Sequence, residues 1–160
     1  MGRWLALSGV IMVIDQVTKY LVLQNFTIHK VVEVTSFFNL VLVYNPGAAF
    51  SFLSDAAGWQ RWFFIAIAFA ASAWIVYLLR KYPGQTLFCL ALSLVLAGAL
   101  GNVIDRILFG AVVDFLDFHA YGWHWPAFNV ADSAITCGAA LLIGDGFRPR
   151  AKRDAADNKV

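Results

Sequence analysis

The chain has 160 residues, 61% of them apolar and 14% charged, with a mean hydropathy of +0.69; this excludes an ordinary water-soluble domain and makes the bilayer its solvent. The net charge of +2 is small, and the basic residues gather at helix ends and in the tail rather than in an aromatic-interleaved stripe, which excludes a nucleic-acid binder. Cys89 and Cys137 each lie in an apolar run without metal-ligand spacing, so both read as buried small hydrophobes.

About 20 apolar residues cross the hydrocarbon core of a bilayer, and four stretches qualify. The first runs from about residue 4 to 24. Its start, Arg3 followed by apolar residues, has the look of a cleavable signal, yet the run passes Asp15 and Lys19 without a small-residue cleavage site, so a retained helix is expected. Ionisable residues inside a span are costly unless paired or facing a polar cavity. Asp15 and Lys19 are four apart, hence on one face and able to pair. Two uses of that pair stay open: a structural pair that lets the helix pack, or direct contact with a substrate or its lipid.

The next segment, 25–61, holds two β-branched runs, Val31–Thr35 and Leu40–Tyr44, stopped by Asn45-Pro46-Gly47; a small sheet lying on the membrane is expected. The second span, 62–79, ends in the basic turn Arg80-Lys81-Tyr82-Pro83-Gly84. The third, 86–104, carries the small residues Ala97-Gly98-Ala99-Leu100-Gly101, which let another helix approach closely. Asn102, Asp105 and Arg106 then stand at i, i+3 and i+4 and face one way. With Arg106 beside it, Asp105 is expected to be a stabilised carboxylate with a structural role.

Segment 108–128 is rich in Phe115, Phe118, His119, Trp123, His124 and Trp125, side chains suited to the headgroup layer, and is expected to lie in the interface. Asp117 reads as a surface charge, and His29, His119 and His124 as interface side chains without metal-site spacing. Asp114, within Gly110–Leu116, has no basic residue nearer than Arg106. Asp132, within Phe128–Ala134, is similar and opens the fourth span, 129–147. A carboxylate at a helix start is often only a favourable charge on the helix dipole. Two lone carboxylates at one predicted depth, each with an asparagine nearby, point to a shared site. On the residues alone both readings stay open. Ser72, Ser93 and Ser133 have no His or Lys placed to activate them. Arg3, the 80–81 turn and the tail residues Arg148, Arg150, Lys152 and Arg153 put both termini in the cytoplasm by the positive-inside rule. The expected fold is thus an integral membrane, mainly α protein. It has four transmembrane helices, a small periplasmic β-sheet and an interfacial periplasmic segment. Residues 1–147 form one domain, and 148–160 a basic cytoplasmic tail whose last dozen residues are expected to be disordered.

Five motifs, Asp15-Gln16-Val17-Thr18-Lys19, Asn45–Ser51, Gly101–Arg106, Val112–Phe115 and Phe128–Ala134, in this order and spacing closely resemble bacterial lipoprotein signal peptidase, also called signal peptidase II. The resemblance implies an inner-membrane aspartic endopeptidase, without metal or cofactor, that removes the signal peptide from prolipoproteins bearing a diacylglyceryl cysteine. It also implies inhibition by globomycin. Carried over, the catalytic aspartates fall on Asp114 and Asp132, and the supporting polar residues on Asp15, Lys19, Asn45, Asn102, Asp105, Arg106 and Asn129. Two rival readings fit less well. An ion or proton path predicts polar residues strung through the bilayer depth, whereas here they gather at the outer third. A scaffold subunit gives no reason for the Asn and Asp pairs.

Overall fold

The computed structural model describes residues 1–28, 30–47 and 58–147. Four helices form: α1 Gly2–Asn25, α2 Trp59–Lys81, α3 Thr86–Phe109 and α4 Val130–Gly146. The first three are long and apolar enough to cross a membrane. The fourth, with 17 residues, is about 25 Å long at 1.5 Å per residue. Punctuation along the sequence explains the ends. Gly58 at φ +92° precedes α2 and Gly110 at φ +79° closes α3, its N–H donating to the carbonyl of Arg106, the left-handed exit that glycine takes without strain. The third helix runs five residues past the expected 104, so Asp105 and Arg106 lie inside it.

Helix α3 is central, packed against α1, α2 and α4. Its small residues act as the sequence suggests, since a Cβ on Gly98 would collide with the Ala131 carbonyl of α4 and stand 2.7 Å from Ile135 Cγ1. The fit is reciprocal: a Cβ on Gly138 of α4 would meet the Ala91 carbonyl and Val95 Cγ2, both at 2.7 Å. Away from the sheet, Trp4, Ile75, Leu79, Cys89, Leu92 and Leu96 make a continuous core. There Ser8 Oγ donates to the Ser93 carbonyl at 2.9 Å, an interhelical bond with no competing water in such a core. Cys137 departs from expectation: the apolar run around it faces outward, and the residue is exposed on α4.

Four strands, β1 Val32–Thr35, β2 Phe38–Asn45, β3 Val112–Ala120 and β4 Trp123–His124, form one antiparallel sheet in that order. Strands β1 and β2 coincide with the two expected runs. Strands β3 and β4 correct the reading of 108–128 as only an interfacial segment. Strand β3 pairs with β2 from Phe38↔Phe118 to Asn45↔Val112. Leu42, Val113 and Phe115 pack with Val22 of α1, so the sheet is seated on the helix ends. Main-chain bonds between Phe128 and both Phe115 and Leu116 tie the approach to α4 onto β3. The expected disordered tail, His29 and residues 48–57, which include Asp55, lie outside the described residues.

Candidate active site

Asp114 reaches the site from β3 and Asp132 from the first turn of α4, and three asparagines stand around them. Asn129 Nδ2 donates to Asp114 Oδ1 at 2.7 Å and Asn45 Nδ2 to Asp114 Oδ2 at 3.1 Å. Asn102 Nδ2 donates to Asp132 Oδ1 at 2.8 Å. Each asparagine comes from a different element. Asn45 ends β2, Asn102 lies on α3, and Asn129 is the N-cap of α4, its Oδ1 accepting from the Asp132 N–H at 2.8 Å. Asp114 is 2% exposed, whereas Asp132 is partly open.

Burial, followed by the charge of Asp132, pushes the Asp114 carboxyl up to about 7, against the opposing pull of the amides of Asn45 and Asn129 and of Lys19. A carboxyl that titrates near neutrality beside a second carboxylate suits proton transfer, not structural pairing. The native state holds this proton more tightly than the unfolded chain does. The associated stability is therefore full below about 3.8 and is lost as pH rises through about 7. The melting temperature is expected to fall across that window, and Asp114→Asn to flatten the slope; thermal unfolding in detergent between pH 5 and 8 checks this.

Beneath the pair lies a buried ionic cluster. Lys19 Nζ is 2.9 Å from Asp15 Oδ2 and 2.7 Å from Asp105 Oδ2, all within 2% exposure. Gln16 Nε2 donates to Asp15, to Asp105 and to the Gly101 carbonyl. Asp15 Oδ1 accepts from the Ala131 N–H at 2.8 Å, so a carboxylate of α1 caps the start of α4. Asp15 and Lys19 thus form a buried pair that joins α1 to α3 and α4. Asp105 is buried in the same cluster, and Arg106 is not the group that pairs with it. Its cation is Lys19, and its second task is to accept from Val113 N–H at 3.0 Å at the start of β3. Arg106 turns elsewhere, donating to the Gly47 carbonyl at 2.7 Å with its guanidinium 4.9 Å from the Phe64 ring. Adjacent helical residues point about 100° apart, so sequence adjacency did not make them a pair.

Asp117 also departs from expectation. It is 7% exposed, accepts from Asn39 Nδ2 at 2.9 Å, and lies 2.9 Å from His124 Nδ1. Burial alone would raise its carboxyl, but the bonds from Asn39 and His124 outweigh that and hold it low. It is therefore a sheet-bracing group, not a second proton donor. Of the serines, Ser93 and Ser133 donate to carbonyls one turn back, and Ser72 is buried without a hydrogen-bond partner. No group of three metal-ligating side chains occurs among the described residues.

The family model described as signal peptidase (SPase) II matches residues 7–148. The chain is 59% identical over 148 residues to the lipoprotein signal peptidase of Burkholderia vietnamiensis, covering 92% of this chain and 89% of that one. It is 57% identical over 145 residues to that of Janthinobacterium sp. (strain Marseille), covering 91% and 88%. Two solved structures, each described as a bacterial membrane enzyme determined by the in meso method, superpose with TM-scores of 0.81 at 35% and 36% identity. The first covers 100% of this chain and 93% of that chain, the second 92% and 94%.

Proposed function

The chain belongs to the signal peptidase II family and so is a membrane aspartic endopeptidase that removes signal peptides from lipoprotein precursors; on that premise we propose that Asp114 and Asp132 are its catalytic pair. The observation that carries the assignment is that, of the described carboxylates, Asp114 and Asp132 meet around three inward-facing asparagine amides without an ion pair to neutralise either one. Asp15 and Asp105 are committed to Lys19, and Asp117 to His124.

Near neutral pH the pair holds one proton, and we place it on Asp114, the more deeply buried of the two. Asp132, at the helix start and open on one side, then takes a proton from a water. That water attacks the scissile carbonyl before the diacylglyceryl cysteine, while Asp114 donates to the carbonyl oxygen. The tetrahedral intermediate collapses as the leaving amine gains the proton held by Asp132 and the re-forming carbonyl returns its hydroxyl proton to Asp114, and no acyl-enzyme forms. Asn45, on the sheet, is placed to hold the substrate main chain from above, and Arg106 secures the Gly47 carbonyl beside it.

Further elements of this reading concern orientation. We place all four helices across the inner membrane with both termini in the cytoplasm, the sheet and the site then facing the periplasm. Arg3, Arg80 and Lys81 at one end support this. So do Trp59, Trp62, Trp123 and Trp125, all more than half exposed, at the other. An open groove of about 260 Å³ on α1, lined by Met12, Val13, Gln16, Val17 and Tyr20, is our candidate seat for a substrate acyl chain. Globomycin-type cyclic depsipeptides are expected to compete at the same site.

A purified-enzyme assay on a diacylglyceryl prolipoprotein tests the assignment through pH. Cleavage needs the single proton on the pair, so kcat/KM is expected to decline as pH rises through about 7. A profile flat from pH 6 to 9 would contradict it. Asp105→Asn, which weakens the ionic cluster and keeps an oxygen for the Val113 N–H, is expected to lower the melting temperature while leaving the position of that decline in place.

A further inference from the structure

An asparagine amide presents either its oxygen or its NH₂ to a neighbour, and which one it presents is decided by the partner at its other end. Two of the three site asparagines are held by main-chain N–H groups. Asn45 Oδ1 accepts from Gly47 N–H at 3.0 Å, and Asn129 Oδ1 from Asp132 N–H at 2.8 Å. Asn102 is held by a side chain: its Oδ1 accepts from Lys19 Nζ at 3.1 Å. An ammonium has three donors and no acceptor, so with Lys19 in place Asn102 must turn its NH₂ toward Asp132 Oδ1. Resting on the catalytic pair proposed above, we infer that Lys19 is a positioning residue. It locks the Asn102 amide so that Asp132 faces a hydrogen-bond donor and carries the pair's negative charge.

This use goes beyond neutralising two carboxylates. Lys19 spends one hydrogen on Asp15, one on Asp105 and the third on Asn102, so its donor count is filled. The groups that bear on Asp132 come from three other elements. They are Lys19 and Asp15 of α1, Asn102 and Arg106 of α3, and Asp114 of β3. Without Lys19, only the long 3.4 Å bond from Asn129 Nδ2 still holds the Asn102 oxygen, and the amide can turn that oxygen toward Asp132. Two acceptors would then face each other at hydrogen-bond distance, and the base would lose its donor at the step where it draws a proton from water.

The test is a double-mutant cycle that separates the lock from the fold. Lys19→Met leaves Asp15 and Asp105 uncompensated, so the whole cycle is run in Asp105→Asn, whose remaining carbonyl still accepts from Val113 N–H. In that background Lys19→Met and Asn102→Ala are each expected to lower kcat about tenfold, as loss of one charge-assisted bond does, with KM within twofold. The double variant is expected to fall no further. A purely structural Lys19 gives a lower melting temperature with unchanged kcat per folded molecule, or losses that multiply in the double variant; either result overturns the proposal. Should Lys19→Met yield no folded enzyme, Lys19→Arg and Lys19→Gln carry the comparison. Arginine is donor-only and is expected to keep kcat within about threefold, while glutamine can offer its oxygen to Asn102 and is expected to lose about tenfold. Equal kcat for the two also overturns it. Failure of the catalytic pair itself is distinguished by normal turnover in Asp114→Asn, which none of these variants reports.

Discussion

Asp114→Asn is expected to abolish cleavage, lowering kcat by about 10³-fold or more, while the protein folds at least as stably as the parent above pH 7. The amide is nearly the shape of the carboxyl, and its oxygen still accepts from Asn129 Nδ2. Its NH₂ must face the NH₂ of Asn45, the longer of the two bonds at 3.1 Å, a modest cost. Against that, the variant removes a buried carboxyl that titrates near 7 beside a second carboxylate, so its ionisation no longer strains the fold. Loss of turnover with an undiminished melting temperature is the signature of a group kept for chemistry. Asp132→Asn is expected to match it in activity, since an amide cannot draw a proton from water. Cleavage of a diacylglyceryl prolipoprotein, measured beside thermal unfolding, decides the matter. Normal turnover by Asp114→Asn would remove the assignment.

Gly98→Val is expected to have the next largest effect, this time on the fold. Even the first carbon of a side chain there runs into the Ala131 carbonyl and Ile135 of α4, and neither main chain can give way without moving a helix. Overpacking of a tight interior commonly costs about 1–3 kcal/mol, and a β-branched group against backbone belongs at the upper end or beyond. Because Ala131 immediately precedes Asp132, the displacement also carries the Asp132 carboxylate away from Asn102. Folded yield and kcat are therefore expected to drop together, whereas Gly9→Val, on a helix face with nothing within 4 Å, is expected to change neither. Size-exclusion recovery and specific activity of the two variants make the comparison.

Hydropathy made the four helices legible, because a bilayer demands runs that nothing else in a small protein needs. The polar residues that break those runs made the site legible for the same reason. What escaped was the partnering. Strand β3 reads Val-Val-Asp-Phe-Leu-Asp-Phe-His, and its first four residues are all buried, so the polar alternation of a half-exposed strand is missing; its β-branched and aromatic content was the available signal. Asp117 seemed wet because its partners, Asn39 on β2 and His124 on β4, become neighbours only when the sheet closes. Lys19 bridging Asp15 and Asp105 is equally invisible along the chain, since its third contact lies 83 residues away. Helical spacing supplied one of its three partners and no more.

The bond from Ala131 N–H to Asp15 joins residues 116 apart. During synthesis α1 emerges before α4, so the carboxylate that caps α4 is made long before the helix it caps. Asn129 and Asp132 arrive only with that final helix. A chain lacking α4 therefore holds Asp114 with Asn45 but without Asn129 and Asp132. On the proposed pair such a chain cannot cut, and the site is complete only once α4 docks against α1 and α3.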